Sequence, residues 1–339
     1  MKTEEIKDLK KQLTDSKKIV IVPHKNPDGD AMGSTLSLKM YLEKNGHQAT
    51  VITPNDYPSF LKWLPDNDSA INFENEAQKA KQVINEANLI FTLDFNNLAR
   101  CGDLEESLRN SEATFVMIDH HQQPDTYAKF TYSDTTMSST CQMVYHFIEM
   151  MGDTNKITPD IATCLYTGIM TDTGSFRYKS TTNITHKVIA NLIEAGADNT
   201  KIHQKIYDIN TLSKLQLKGI ALKNLHLLPE YKTAYISISQ AELNEHNYKK
   251  GDTEGFVNIG LSIEGIVFAV IFIENEQEDI IKISLRSKGD FSVNKFARNH
   301  FDGGGHDNAS GGRSKKNLTD TIDFFMSILP QYKKELLDS

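Results

Sequence analysis

The sequence predicts an α/β protein in which an N-terminal parallel-sheet domain with crossover helices is followed by a helical connector and a smaller C-terminal α/β domain. Three observations carry this reading. Strand-like apolar runs at 19–23, 49–52, 89–93 and 114–118 alternate with helical patterns at 31–45, 75–87, 138–151 and 159–170, the rhythm of parallel strands joined by crossover helices. The 339 residues exceed the usual size of a single core, so two domains are expected. Between about residues 183 and 228 the pattern is helical, punctuated by Gly196 and Pro229 and free of strand signals. Domains are therefore expected at 1–200 and 229–339, with the connector at 201–228.

Taken in order, the first strand, Ile19-Val20-Ile21-Val22, runs into His24-Lys25-Asn26-Pro27-Asp28-Gly29-Asp30. The helix after it, from Ala31, mixes apolar Met32, Leu36, Leu38, Met40 and Leu42 with polar Lys39, Glu43 and Lys44, and Gly46 suits its stop. The Asp28 loop thus opens onto a helix N-terminus, whose unpaired N–H groups favour anionic groups. The strand that starts at Asn88 ends in Asp94, and the strand Thr114–Ile118 ends in Asp119-His120-His121. A further carboxylate, Asp172, stands in Thr171-Asp172-Thr173-Gly174, next to a glycine that permits a turn. Beyond the helical stretch, strand-like runs at 233–239, 266–273 and 280–285, a helix at 293–300 and the glycine loop Gly303-Gly304-Gly305-His306 make a second α/β unit.

Composition narrows the class. An apolar share of 39% and a charged share of 24% are those of an ordinary globular protein. The longest apolar run, Gly265 to Ile273, is far shorter than a membrane span and lies between Glu264 and Glu274. The N-terminus MKTEEIKDLKKQL mixes both charge signs and lacks a signal's apolar stretch, so a cytoplasmic location is expected. Cys101, Cys141 and Cys164 form no CxxC pair and read as reduced thiols. The net charge of -8 argues against a long nucleic-acid duplex, whose binders carry a basic excess. A short phosphorylated substrate remains compatible, as does a homodimer.

The chemistry lies in the clusters taken together. Asn-Pro-Asp-Gly alone is a surface turn, Asp94 alone is an exposed strand end, and of two adjacent histidines one is usually buried and one exposed. Four such segments at strand and helix ends, however, supply the carboxylate and imidazole ligands of a two-metal hydrolytic site, and loops at carboxyl strand ends line one crevice. Adjacent residues of an extended chain point apart, so His120 is expected to bind metal, His121 to contact the scissile phosphate or leaving oxygen, and Asp119 to orient a ligand imidazole. The C-terminal glycines let backbone N–H groups approach a phosphate, and an arginine fork can grip it. Arg177 is a weaker phosphate candidate, and Arg100 weaker still.

These motifs, His24-x-x-Pro27-Asp28-x-Asp30, Asp94, Asp119-His120-His121 and Thr171-Asp172-Thr173-Gly174, resemble the DHH phosphoesterase family. Ser284-Leu285-Arg286-Ser287 and Gly303-Gly304-Gly305-His306-x-x-Ala309-Ser310-Gly311-Gly312 resemble its associated C-terminal domain. One departure is Asp302, where the family pattern often has another glycine. The resemblance implies that His24, Asp28 and Asp94 hold one metal, and that Asp30, Asp94, His120 and Asp172 hold the other, with Asp94 as the bridge. It implies two divalent ions, Mn²⁺ in the first place with Mg²⁺ or Co²⁺ as alternatives, and substrate binding by Arg286, Gly304, Gly305 and His306.

Within the family, the compact two-domain layout is most similar to the bacterial branch that cuts short single-stranded RNA and linear dinucleotides to 5′ mononucleotides and converts 3′-phosphoadenosine 5′-phosphate (pAp) to AMP. A stand-alone cyclic dinucleotide phosphodiesterase shares the motifs and is the alternative. A related pyrophosphatase is disfavoured by the GGGH element, and a long-strand DNA exonuclease by the length and charge. A non-catalytic nucleotide-binding regulator is the alternative from another class. It is disfavoured because all six ligand positions are filled.

Overall fold

The computed structural model describes residues 1–339 except Lys2 and Lys250. The chain divides into two compact units, Met1–Ile209 and Asn210–Ser339.

The first unit runs α1 (Thr3–Gln12), β1 (Lys18–Val22), α2 (Gly29–Lys44), β2 (Gln48–Thr53), β3 (Ile71–Asn72), α3 (Phe73–Asn85), β4 (Leu89–Leu93), α4 (Glu105–Arg109), β5 (Thr114–Asp119), β6 (Phe130–Ser133), α5 (Thr140–Met151), α6 (Pro159–Asp172), α7 (Asn183–Glu194) and α8 (Asn199–Tyr207). Its six strands are all parallel, in the order β3-β2-β1-β4-β5-β6. The edge strands β3 and β6 escape a sequence reading because they are too short to show a run of their own. The alternation of side chains along β1 explains how one sheet carries two cores. Ile19 and Ile21 join Leu36, Phe147 and Ile169 of α2, α5 and α6 on one face, while Val20 and Val22 join Ala80 and Ile84 of α3 on the other.

Two consequences position a site. The strand order reverses between β1 and β4, and at such a switch point a crevice opens beyond the carboxyl ends of the strands. Asp94 follows β4 directly, and His24 follows β1 after Pro23. In addition, α2 and α6 cross through glycines. A Cβ at Gly33 would lie 2.5 Å from the Cys164 carbonyl oxygen, and one at Gly168 would overlap the Cys141 sulfur and lie 2.9 Å from Asp30 Oδ1. Only residues without a Cβ permit this approach, which sets Asp30 of α2 beside Asp172 of α6.

The second unit contains α9 (Leu212–Lys223), β7 (Leu225–Leu228), β8 (Thr233–Ile238), α10 (Gln240–Glu245), α11 (Val257–Leu261), β9 (Phe268–Asn275), β10 (Ile280–Ser287), α12 (Val293–His300), β11 (Gly304–His306), β12 (Ala309–Ser314), α13 (Leu318–Ile328) and α14 (Lys333–Asp338). Its sheet order is β11-β12-β10-β9-β8-β7, with β8 and β9 parallel and the other neighbours antiparallel. Phe268, Val270 and Phe272 face α12 and α13, whereas Ala269 and Ile271 face α9, α10 and α11.

Two expectations are corrected. The stretch 201–228 is not a separate helical connector: α8 belongs to the first unit, α9 to the second, and residues 225–228 form β7. Leu225-His226-Leu227-Leu228 continues the apolar pattern of α9, but pairing of Leu228 with Thr233 and Leu225 with Ile236 makes it an edge strand. Likewise the glycine loop is mostly a hairpin, with Gly304 opposite Gly311 and His306 opposite Ala309. Among the described residues no helix is long and apolar enough to cross a membrane, and the three cysteines are free and buried.

Candidate metal centre

The loop after β1 carries His24 and Asp28, and Asp28 caps α2, its Oδ1 accepting the N–H groups of Asp30 and Ala31 at 3.0 Å each. That capping bond leaves Oδ2 toward His24, whose Nε2 lies 4.0 Å away. Asp94 ends β4 in the left-handed backbone region, φ 66°, which costs a non-glycine residue on the order of 1 kcal/mol. Its carboxylate faces two ways. Oδ2 lies 3.4 Å from His24 Nε2 and Oδ1 lies 3.4 Å from His120 Nε2. His120 Nε2 also faces Asp30 Oδ2 at 3.8 Å and Asp172 Oδ2 at 3.6 Å.

The result is two lobes that share Asp94: His24, Asp28 and Asp94 in one, and Asp30, His120 and Asp172 with the far oxygen of Asp94 in the other. Both imidazoles are oriented through their other nitrogen. His24 Nδ1 lies 2.8 Å from the Lys25 carbonyl and His120 Nδ1 3.3 Å from that of Met137. A backbone carbonyl can only accept, so Nδ1 carries a proton in each ring, and Nε2 faces the carboxylates, donating to Asp94 when the ring is protonated and offering its lone pair to a cation when it is neutral.

Asp119 turns to its neighbour His121. Its Oδ2 accepts the backbone N–H of His121 at 3.0 Å, and its Oδ1 accepts from His121 Nδ1 at 2.7 Å. His121 is thereby held near the bridge, with Nδ1 3.7 Å from Asp94 Oδ1.

The donor set fits divalent cations. Among the described residues no lysine or arginine forms an ion pair with Asp28, Asp30 or Asp94, and Asp30 and Asp94 are buried. Buried carboxylates need a compensating positive charge. Two ligand atoms each about 2.1 Å from one ion stand about 3.0–3.4 Å apart at octahedral or tetrahedral angles, close to the spacings seen. The titration behaviour follows. Burial, then the charges of Asp94 and Asp172, push the Asp30 carboxyl well above its usual range. Burial also works upward on Asp94, but hydrogen bonds from His120 and His24 outweigh it and hold that carboxyl well below.

Sequence reading missed one contributor, the start of α5. Ser139 caps this helix, and the two N–H groups that follow have no partner within the helix. The Thr140 N–H donates to Asp30 Oδ2 at 2.6 Å and the Cys141 N–H to Asp30 Oδ1 at 2.8 Å. The Thr140 hydroxyl donates to Asp94 Oδ1 at 2.9 Å. A Ser-Thr pair before an apolar run reads only as a helix cap, so nothing in the local sequence marks this role.

In the second unit, Arg286 of β10 pairs with Ala309 of β12, which pairs in turn with His306 of β11. Directly opposed residues share a sheet face, so Arg286 and His306 flank a small alanine on one face. The Arg286 Nη1 donates to the Leu285 carbonyl at 3.0 Å, while its buried Nε has no hydrogen-bond partner among the described residues. Gly304 and Gly305 lie in the adjoining strand. Asp302 adopts φ 44°, which explains a glycine preference there, and its Oδ2 accepts from Arg313 Nε at 2.7 Å. Arg177 is exposed, its Nε donating to the Gly174 carbonyl at 2.7 Å.

An α/β switch-point crevice with a carboxylate-bridged pair of ligand clusters is the architecture of a metal-dependent phosphoesterase. The chain belongs to the DHH family: the family's N-terminal domain matches residues 18–169, and the DHHA1 domain matches residues 230–335. It is 30% identical over 315 residues to the bifunctional oligoribonuclease and PAP phosphatase NrnA of Bacillus subtilis, covering 92% of each chain. To the protein of the same name from Thermus thermophilus it is 29% identical over 297 residues, covering 88% of this chain and 84% of that one. The crystal structure of an exopolyphosphatase-related protein from Bacteroides fragilis is similar, with 38% identity, a TM-score of 0.94, and coverage of 99% of this chain and 98% of that one.

Proposed function

We propose that this protein is a two-metal phosphoesterase that hydrolyses short RNA oligonucleotides and linear dinucleotides to 5′ mononucleotides and converts pAp to AMP. The two-sided environment of Asp94 carries the phosphoesterase part of this reading. The names of the two relatives, with a net charge of -8 that disfavours long polymers, support the substrate class.

His24, Asp28 and Asp94 would hold one cation, and Asp30, Asp94, His120 and Asp172 the other, with Mn²⁺ as the proposed ion and Mg²⁺ or Co²⁺ as alternatives. When bound, the pair supplies Lewis-acid stabilisation of the phosphoryl oxygens and activates water at neutral pH. Asp119 holds the His121 ring in one orientation by accepting from its Nδ1 and from its backbone N–H. His121 can then place a proton donor on the phosphoryl or leaving oxygen. In the second unit, Arg286, with donors beyond its bond to Leu285, binds a substrate phosphate together with His306 and the backbone N–H groups of Gly304 and Gly305. Arg177 is a further phosphate contact in this proposal.

The test is Mn²⁺-dependent turnover of one panel: pAp, a 5′-phosphorylated diribonucleotide, a five-nucleotide RNA, a long RNA, cyclic di-AMP and pyrophosphate, with Asp94→Ala as the blank. Preferential turnover of pAp and short linear RNA is expected. Preference for cyclic di-AMP would move the protein to the signalling branch, and turnover by Asp94→Ala equal to wild type would overturn the bridging assignment.

A further inference from the structure

We propose that Thr140 is a positioning residue that sets the rotation of the Asp94 carboxylate, so that one side chain serves both metal lobes. The inference rests on the metal assignment above and goes beyond it, to a residue outside every motif that carries the family resemblance.

A carboxylate that gives one oxygen to each of two cations must be held at a defined rotation. The last torsion of aspartate is broad and weakly restrained, so the turn of the Asp94 group must be imposed by its neighbours. His24 and His120 face its two oxygens at equal distances of 3.4 Å, and His121 Nδ1 stands farther off, 3.7 Å from Oδ1, so the two nearest rings are balanced. The Thr140 hydroxyl breaks that balance. It donates to Oδ1 at 2.9 Å, and Thr140 is fully buried, so water does not compete for the bond.

The donor is itself held rigidly. Ser139 caps α5 by accepting the Gln142 N–H at 3.0 Å, and Thr140 and Cys141 anchor the same helix end to both oxygens of Asp30. Buried Gln142 accepts from Ser138 and from Thr185 of α7 through its Oε1. Thr140 therefore reaches Asp30 with its amide and Asp94 with its hydroxyl, linking one ligand of the second lobe to the bridge. Removal of the hydroxyl leaves the amide bond, and with it Asp30, in place. The predicted defect is thus confined to the bridge.

The experiment compares wild type, Thr140→Val, Thr140→Ser and Asp94→Asn by calorimetric titration with Mn²⁺ alone, with steady-state kinetics on pAp beside it. Valine matches threonine in shape and puts a methyl group in place of the hydroxyl. We expect Thr140→Val to unfold near the wild-type temperature without metal and to bind one of two Mn²⁺ ions about 10–100-fold more weakly, the usual range for losing a ligand's hydrogen-bond partner. Its kcat should fall while KM for pAp stays level, and Thr140→Ser should restore both metals. Should valine prevent folding, Thr140→Ala carries the same expectation. Two Mn²⁺ ions bound by the valine or alanine variant at wild-type affinity would overturn the role of Thr140 while leaving the metal centre intact. No Mn²⁺ binding by wild type would instead overturn the metal assignment and this inference with it.

Discussion

Replacing Gly168 by alanine isolates the helix crossing that builds the site, because two physical effects pull in opposite directions. On propensity alone, alanine in a helix interior is favoured over glycine by about 1 kcal/mol. The structure predicts the reverse. The added Cβ would overlap the Cys141 sulfur and stand 2.9 Å from Asp30 Oδ1 and 3.0 Å from Cys141 Cβ, where unstrained carbon contacts need about 3.5–4.0 Å. Relief requires about 0.5–1 Å of movement at Asp30 of α2 and about 1.5 Å or more at the Cys141 sulfur of α5. Neither yields easily, because the Cys141 amide is bonded to Asp30 at 2.8 Å and the Gly33 face of α2 abuts the Cys164 carbonyl. Overpacking of this kind costs about 1–3 kcal/mol, and anchoring on both sides places Gly168 near the upper end, so the net loss is about 2 kcal/mol. For a unit the size of Met1–Ile209, each kcal/mol corresponds to about 2–4 °C, which predicts a fall in Tm of about 4–8 °C. The assay is thermal unfolding followed by circular dichroism with a chelator present, so that metal binding does not mask the change. Gly219→Ala is the control. That glycine lies within α9 with nothing inside 4 Å of its added Cβ, and its substitution should be neutral or stabilising by up to about 1 kcal/mol. A Gly168→Ala protein as stable as wild type, or more so, would refute the close crossing.

Other outcomes follow from the same geometry. Asp119→Asn should lower kcat by about 100-fold or more, the scale of a lost proton-transfer group, with two Mn²⁺ ions still bound; loss of an ion on calorimetric titration would show that Asp119 is itself a ligand. Arg286→Ala should raise KM for pAp by at least about tenfold, given about 1.5–3 kcal/mol for a charged hydrogen bond, and a fall in kcat alone would move Arg286 into the transition state. In the metal-free protein, burial disfavours charge on His120, but the hydrogen bond to Asp94 and the charges of Asp172, Asp94 and Asp30 prevail and hold its pKa well above the usual value. A group with a raised folded pKa stabilises fully below its unfolded pKa of about 6.5 and loses that contribution as pH rises through the folded value. Chelated protein should therefore lose stability as pH rises above about 6.5, while Mn²⁺ affinity strengthens because the ion displaces that proton. Melting and titration across this range check both slopes, and a chelated Tm that rises with pH would contradict the assignment.

Some of the site was legible in one dimension. Ile19–Val22, Leu89–Leu93 and Thr114–Ile118 are dense apolar runs, so their ends, and the His24, Asp94 and Asp119-His120-His121 segments attached to them, could be located from pattern alone. The motif marks Asp172, while the apolar pattern of α6 stops at 170 and gives no sign that the helix runs on to seat this residue in its last turn. The pairing of Asp119 with His121 also went unforeseen, because two adjacent histidines give no sign of which ring the carboxylate will meet. Short elements fared worst: β3 and β6 lack a run of their own, and β7 hides in the apolar pattern that continues from α9.

By itself the sequence determined the α/β class, the identity and order of the ligand-type residues and their placement at strand ends, because local hydrophobic period and turn chemistry are properties of neighbouring residues. Only the tertiary structure decided that Asp94 turns its two oxygens to separate lobes, that the start of α5 binds Asp30, that Gly33 and Gly168 let α2 and α6 meet, and that Arg286 and His306 share a sheet face. Each of these depends on groups far apart in the chain brought within a few ångströms, and on the register and backbone angles fixed there. A local pattern carries no record of such distances.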